Sequence, residues 1–205
     1  MWLEKKIFSL LGWRADIKIE LPDKCVACIA PHTSNWDFFY CVLFKEAYRI
    51  KVNFLIKEEW TKSVIGGLIR RLGGIGIRRD KSYSSTDIYA KAFDDNEILR
   101  IAITPEGTRK GNKDWKQGFY YIALKAGVPI VLVSLDYKEK RISIDRIIVP
   151  NGDIDTQMAE IKAYYKGVTA KYPDRFILEQ SYDVICSALL VIILLLRKTF
   201  CSRSA

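Results

Sequence analysis

Apolar and polar positions recur along this chain with two different periods, and the points where the period changes predict its elements. Trp2, Leu3, Ile7, Leu10 and Leu11 repeat at helical spacing beside Glu4, Lys5 and Lys6, with Trp2 and Trp13 near the ends. That pattern predicts a short amphipathic helix over residues 1–14, suited to a membrane interface or to packing on its own domain. Ile17-Lys18-Ile19-Glu20-Leu21 then alternates like a half-exposed strand, and Pro22-Asp23-Lys24 supplies its turn. Cys25 to Ala30 is an unbroken apolar run, the mark of a strand buried on both faces. Pro31 ends it, and Thr33 or Ser34 is placed to cap a helix from about Trp36 through Tyr48.

The same reading continues through Val52–Ile56 as a buried strand, Glu58–Leu72 as a helix, and Gly73–Ile77 as a turn leading into a short strand. A helix opens at Ser84–Asp87 and ends near Asn96. Ile98–Thr104 is a strand, followed by a loop from Pro105 to Asp114. A helix from Lys116 to Ala126, strands at Ile130–Leu135 and Arg141–Val149, and a helix over Thr156–Tyr172 complete the order. Strands alternating with helices predict a single α/β domain over residues 15–178, with a mixed, largely parallel sheet flanked by helices. Ligands of such sheets gather at the carboxyl ends of the strands.

Beyond it, Val184 to Leu196 is apolar apart from Ser187 and is followed by Arg197, Lys198 and Arg203. A bilayer core needs roughly 20 apolar residues, and Glu179 and Asp183 stop the run from extending upstream. Residues 179–205 are therefore expected to form a hydrophobic terminal helix, as a shallow anchor or as a helix packed on the domain.

Composition narrows the partners. With 33 Lys and Arg against 24 Asp and Glu, the formal charge is +9, which favours an anionic partner such as an acidic membrane surface or a phosphorylated small molecule. The positive charge is spread out and no basic block reads as a nucleic-acid arm. Five cysteines, an odd number without a signal peptide, argue against a disulfide framework and for a reducing, cytosolic setting. Cys25 and Cys28, three apart in a strand, point to opposite faces and would not meet as a redox pair.

His32 is the only histidine, so any imidazole chemistry must use it, and Asp37 follows five positions later. In one continuous helix those two would lie about 140° apart around the axis. Pairing them requires His32 in the turn after the strand and Asp37 in the first turn of the helix, a break that Pro31 and Thr33-Ser34 provide. A carboxylate on one ring nitrogen would fix the tautomer and leave the other nitrogen to accept a proton from a hydroxyl. Thr104-Pro105-Glu106-Gly107-Thr108-Arg109 follows a strand and ends in a guanidinium fork, which suits a phosphate monoester. Gly74-Ile75-Gly76-Ile77-Arg78-Arg79 repeats that logic of glycines, a strand and then cations.

Taken together these segments resemble the glycerolipid acyltransferase family typified by 1-acyl-glycerol-3-phosphate acyltransferase. His32 to Asp37 matches its His-x4-Asp motif, Gly73 to Arg79 loosely its second motif, and Glu106 to Arg109 fully its Glu-Gly-Thr-Arg motif. Val128-Pro129-Ile130-Val131-Leu132 matches the fourth, with Leu132 in place of a second proline. The resemblance implies a fatty acyl transfer from acyl-CoA or acyl carrier protein to the hydroxyl of a lysophospholipid, without metal or cofactor, at the cytoplasmic face of a membrane. It implies His32 as general base, Asp37 as its orienting carboxylate, and Arg79, Glu106, Gly107, Thr108 and Arg109 as the acceptor-binding set. Competing readings are a zinc site from Cys25, Cys28, His32 and Cys41, a hydrolase using Ser34, and a non-catalytic lipid-binding or scaffolding module.

Overall fold

The computed structural model describes residues 2–77 and 85–178, so the expected terminal anchor and Arg79 lie outside the described residues. Helix α1 (Trp2–Leu10) leads into β1 (Arg14–Ile17), β2 (Lys24–Ala30) and α2 (Asn35–Ala47). Strand β3 (Asn53–Lys57), helices α3 (Glu58–Thr61) and α4 (Gly66–Arg71), strand β4 (Gly74–Ile77) and helix α5 (Ser85–Asp94) follow. The chain then runs through β5 (Leu99–Ile103), α6 (Gly118–Ala126), β6 (Ile130–Asp136), β7 (Arg141–Ile148) and α7 (Ile154–Tyr164).

Among the described residues the strands form one sheet in the order β1-β7-β6-β2-β5-β3-β4, parallel everywhere except the β6–β7 pair. This is the mixed, largely parallel α/β sheet that the alternation of elements predicts. Strand β2 lies at its centre, between β5 and β6, which explains why its sequence is apolar at nearly every position. Its period of two splits the core. Val26, Cys28 and Ala30 face a cluster closed by Phe93 of α5, Phe119 and Ile122 of α6, and Ile161 of α7. Cys25 and Ala27 face a second cluster with Phe8 of α1, Trp13 and Phe44 of α2. The two cysteines are therefore on opposite faces, and one metal ion could not be shared by both.

Three expected elements differ from those observed, and a fourth is oriented by a residue outside its apolar stripe. The first strand spans Arg14–Ile17 rather than Ile17–Leu21: the Lys18 N–H still donates to the Ile144 carbonyl, and then Ile19 and Leu21 pack into the core without a ladder. The helix expected over Glu58–Leu72 is two short helices, because the carbonyl of Thr61 accepts from the Arg70 guanidinium and abuts Gly66 too closely for any side chain there. The last helix stops at Tyr164, and Gly167, at φ +87°, turns the chain away. In α1 it is Phe8 that is buried, while Leu3, Ile7, Leu10 and Leu11 stay exposed, so the stripe read from the sequence is the face turned outward.

Candidate active site

The site is built where β2 gives way to α2. Ser34 caps α2, its Oγ accepting from the Trp36 N–H at 3.1 Å, and Asp37 closes the capping box as the third helical residue. Asp37 Oδ2 accepts from both the Thr33 and Ser34 N–H groups at 2.7 Å. These local bonds place the carboxylate under the turn that carries His32. The His32 Nδ1 lies 3.5 Å from Asp37 Oδ2. The break required between strand and helix is thus present, and the sole imidazole meets its carboxylate.

Asp37 has one more partner, and it comes from far along the chain. Tyr137, just past β6, donates its hydroxyl to Asp37 Oδ1 at 2.6 Å. Burial and the neighbouring Asp37 carboxylate together raise the Tyr137 hydroxyl well above its ordinary range, so it stays a donor. The ring is held edge-on by Trp13 and Tyr40, and the Tyr137 N–H donates to the Thr169 carbonyl at 2.8 Å. The segment after α7 completes this wall: the Tyr172 N–H donates to Thr33 Oγ1 at 3.2 Å, and Lys171 lies over the rings of Trp36 and Tyr137. Ser34 is engaged as a helix cap and mostly buried, which removes it from the position of a free nucleophile.

The Glu106 loop is tied to the same turn. Glu106 is 0% exposed, and its Oε1 accepts from the His32 N–H at 2.6 Å. Its carboxyl therefore braces the histidine turn and does not face an acceptor phosphate in solvent. Burial pushes it up to about 7; the His32 N–H works against that rise and the Asp37 charge adds to it. Gly107 adopts φ +66°, and a side chain there would press on Lys116. The loop beyond is pinned by Asn112, which donates to the Glu106 and Asp114 carbonyls, and by the Lys116 N–H on the Pro105 carbonyl. Arg109 reaches across to hydrogen-bond the Asn35 side chain at the start of α2, and Thr108 Oγ1 accepts from the Lys110 N–H at 3.2 Å. The structure so brings His32, Asp37, Glu106, Thr108 and Arg109 into one set of connected loops at the carboxyl ends of the parallel strands.

From this end an apolar cavity of about 290 Å³ runs between α2 and the sheet. His32, Asp37 and Thr104 border one part of it, Ala27, Cys41, Phe38 and Ile144 its middle, and Lys45, Val52 and Arg100 the part farthest along α2. Burial pushes the thiols of Cys25 and Cys41 up to about 11 and about 12, so they line the cavity as neutral, unreactive groups. An imidazole with a bound carboxylate, opening on an apolar passage, can activate a hydroxyl beside a long alkyl chain.

Comparison with known proteins agrees with this picture. The Acyltransferase family matches residues 17–136. The 1-acyl-sn-glycerol-3-phosphate acyltransferase beta of Homo sapiens is 33% identical over 100 residues, covering 46% of this chain and 36% of that protein, so the chain spans about a third of that relative's length. The crystal structure of the 1-acyl-sn-glycerophosphate (LPA) acyltransferase PlsC from Thermotoga maritima has the same fold, with a TM-score of 0.56 and 20% identity, over 80% of this chain and 75% of that one. The family match takes in the strand, the capped turn, the Glu106 loop and most of the cavity's lining: this chain belongs to the Acyltransferase family.

Proposed function

We propose that the chain is an O-acyltransferase that moves a fatty acyl group from acyl-CoA or acyl carrier protein to the free hydroxyl of a lysophospholipid, with 1-acyl-glycerol-3-phosphate as acceptor and phosphatidic acid as product. The observation that carries this reading is the apolar cavity that starts at the His32–Asp37 pair. An acyl chain lying in this apolar channel would bring its reacting carbonyl beside the imidazole.

In this mechanism His32 Nε2 takes the proton of the acceptor hydroxyl as its oxygen attacks the thioester carbonyl. Asp37, held by two backbone N–H groups and Tyr137, supports the imidazolium that forms. Collapse of the tetrahedral oxyanion breaks the carbon–sulfur bond, and the departing thiolate receives the proton from His32. Arg79, Thr108 and Arg109 hold the acceptor's phosphate, while Glu106 and Gly107 fix the loop that presents them. The chemistry calls on no metal or cofactor.

We place the protein peripherally at the cytoplasmic face of a membrane. Exposed apolar side chains support this: Leu3, Ile7 and Leu10 on α1, Trp36, Phe38 and Phe39 at the start of α2, and Trp60, Val64, Ile65 and Leu68 after β3. Among the described residues no helix is long and apolar enough to cross a membrane.

The test is a radiolabelled acyl-donor assay on the full chain against a panel of lysolipids, with His32→Ala alongside. Acyl transfer should fall by at least about 100-fold in the variant, the usual range for a lost general base. Near-normal turnover by folded His32→Ala protein would sink the proposal.

A further inference from the structure

At the opposite end of the parallel strands from His32, a second pocket of about 280 Å³ is bordered by Lys45, Lys51, Arg71 and Arg100 together with Val52, Asn53, Gly73 and Ile98. No carboxylate lines it. Two of the cations are largely buried, the Lys45 side chain at 15% and the Arg100 side chain at 13% exposed. Their ion-pair partners sit outside in solvent, Glu46 at 48% and Asp23 at 72% exposed. Exposed partners neutralise a buried cation weakly, so a positive field remains within the pocket. Lys51 and Arg71 add to it, with no carboxylate at ion-pair distance among the described residues.

The basic pocket and the apolar cavity share Lys45, Val52 and Arg100. The cationic pocket therefore lies directly beside the alkyl-lined passage, with these three side chains bordering both. Arg100 near the start of β5 and Thr104 just past its end border the two extremes of that passage, about 13 Å apart for strand geometry. A polar basin followed by an apolar bore matches one chemistry: a single-chain amphiphile with an anionic head.

We infer that this pocket binds the head group of a single-chain anionic amphiphile, a fatty acid carboxylate or a monoalkyl phosphate, whose chain enters the cavity from the end opposite His32. Binding itself does not depend on the acyltransferase reading. Its consequence does: if the cavity takes the donor's acyl chain, both chains need the same volume, and the amphiphile inhibits competitively against the thioester.

Isothermal titration of the full chain, without any acyl donor, tests the binding. The probes are dodecyl phosphate and dodecanoate below their micelle-forming concentrations, inorganic phosphate as the head alone, and dodecyltrimethylammonium as the chain with reversed charge. Either anionic amphiphile should bind more tightly than both controls, and whichever is tighter identifies the head group. The double variant Lys51→Glu, Arg71→Glu should weaken that binding roughly tenfold, equivalent to about 1.4 kcal/mol. Arg109→Ala should leave it unchanged. Equal binding of the cationic detergent, or of phosphate alone, overturns the inference, as does loss of binding in Arg109→Ala with retention in the double variant, which would assign the probe to the acceptor site. Should circular dichroism show the double variant unfolded, Lys51→Gln with Arg71→Gln replaces it, and unaltered affinity in that folded pair also overturns the inference. Failure of acyl transfer with intact amphiphile binding would leave the pocket standing and remove only the competitive consequence.

Discussion

Alternate residues of β2 serve two different regions. Val26, Cys28 and Ala30 point into a face closed by three helices, where buried tyrosines find partners: Tyr165 donates to the Cys28 carbonyl at 2.7 Å, and Tyr120 to Gln157 at 2.5 Å. Cys25, Ala27 and Ile29 point the other way, beneath α2, and border open volume. Small side chains there, Ala27 and Ala102 above all, leave the space that larger ones fill on the closed face. A strand's period of two lets one segment stabilise the fold with half its residues and shape a ligand passage with the rest. The lesson is that the cost of truncation should differ between the faces even for identical residue types.

The largest effects should appear in that contrast. Ile130 is buried in the closed face and Ile144 borders the cavity. Ile130→Ala should cost about 4 kcal/mol and Ile144→Ala about 2 kcal/mol, because a side chain that already borders empty space has fewer contacts to lose. For a chain of this size that is roughly 10 °C against 5 °C in Tm. Equal losses in chemical denaturation would erase the distinction between the faces.

A buried carboxyl beside the His32 turn sharpens the comparison. Glu106 is raised to about 7 from an ordinary 4.5, chiefly by burial. The folded protein then keeps a proton that the unfolded chain releases, so this group's contribution is complete below about pH 4.5 and is lost as pH climbs through about 7. Glu106→Gln, which cannot ionise, should remove a slope worth on the order of 3 kcal/mol between pH 5 and pH 8. Parallel stability curves for the two proteins would contradict the assignment. Tyr137→Phe should follow at about 2 kcal/mol, since it strips a hydroxyl from a buried carboxylate oxygen, and kcat should fall more than KM changes. An unchanged kcat would confine Tyr137 to packing.

Much of this was legible in the residues, and the exceptions have physical causes. The parallel order of strands, the turn after Pro31 and the approach of His32 to Asp37 follow from local signals: an apolar run, a capping serine and a carboxylate at the third helical position. The second partner of Asp37 carried no such signal, because Tyr137 stands 100 positions away and only the β6 ladder brings it back. Glu106 read as part of a phosphate loop, whereas its burial against the His32 N–H depends on two loops meeting in space. The stripe of α1 left its direction open for a related reason: a helix with apolar side chains on several faces does not declare which one the domain covers, and Phe8 is the residue it buries. Helix periodicity over Glu58–Leu72 likewise could not show the Arg70 contact that splits it.

The smallest stability effect should come from filling the cavity itself. Ala27 is buried on the wall between the His32 end and the cationic end, and Ala27→Leu would place its added carbons in existing volume instead of in a packed core. Fold stability should therefore move by no more than about 1 kcal/mol, whereas the same change on the closed face would overpack it. The readout is selectivity. A chain that runs past Ala27 meets the new side chain and one that stops short does not, so kcat/KM for a long acyl donor should fall at least about tenfold relative to a short one. Loss of both donors in equal measure would mean that the acyl chain leaves the site by another route, and the open face beneath α2 would then need a different occupant.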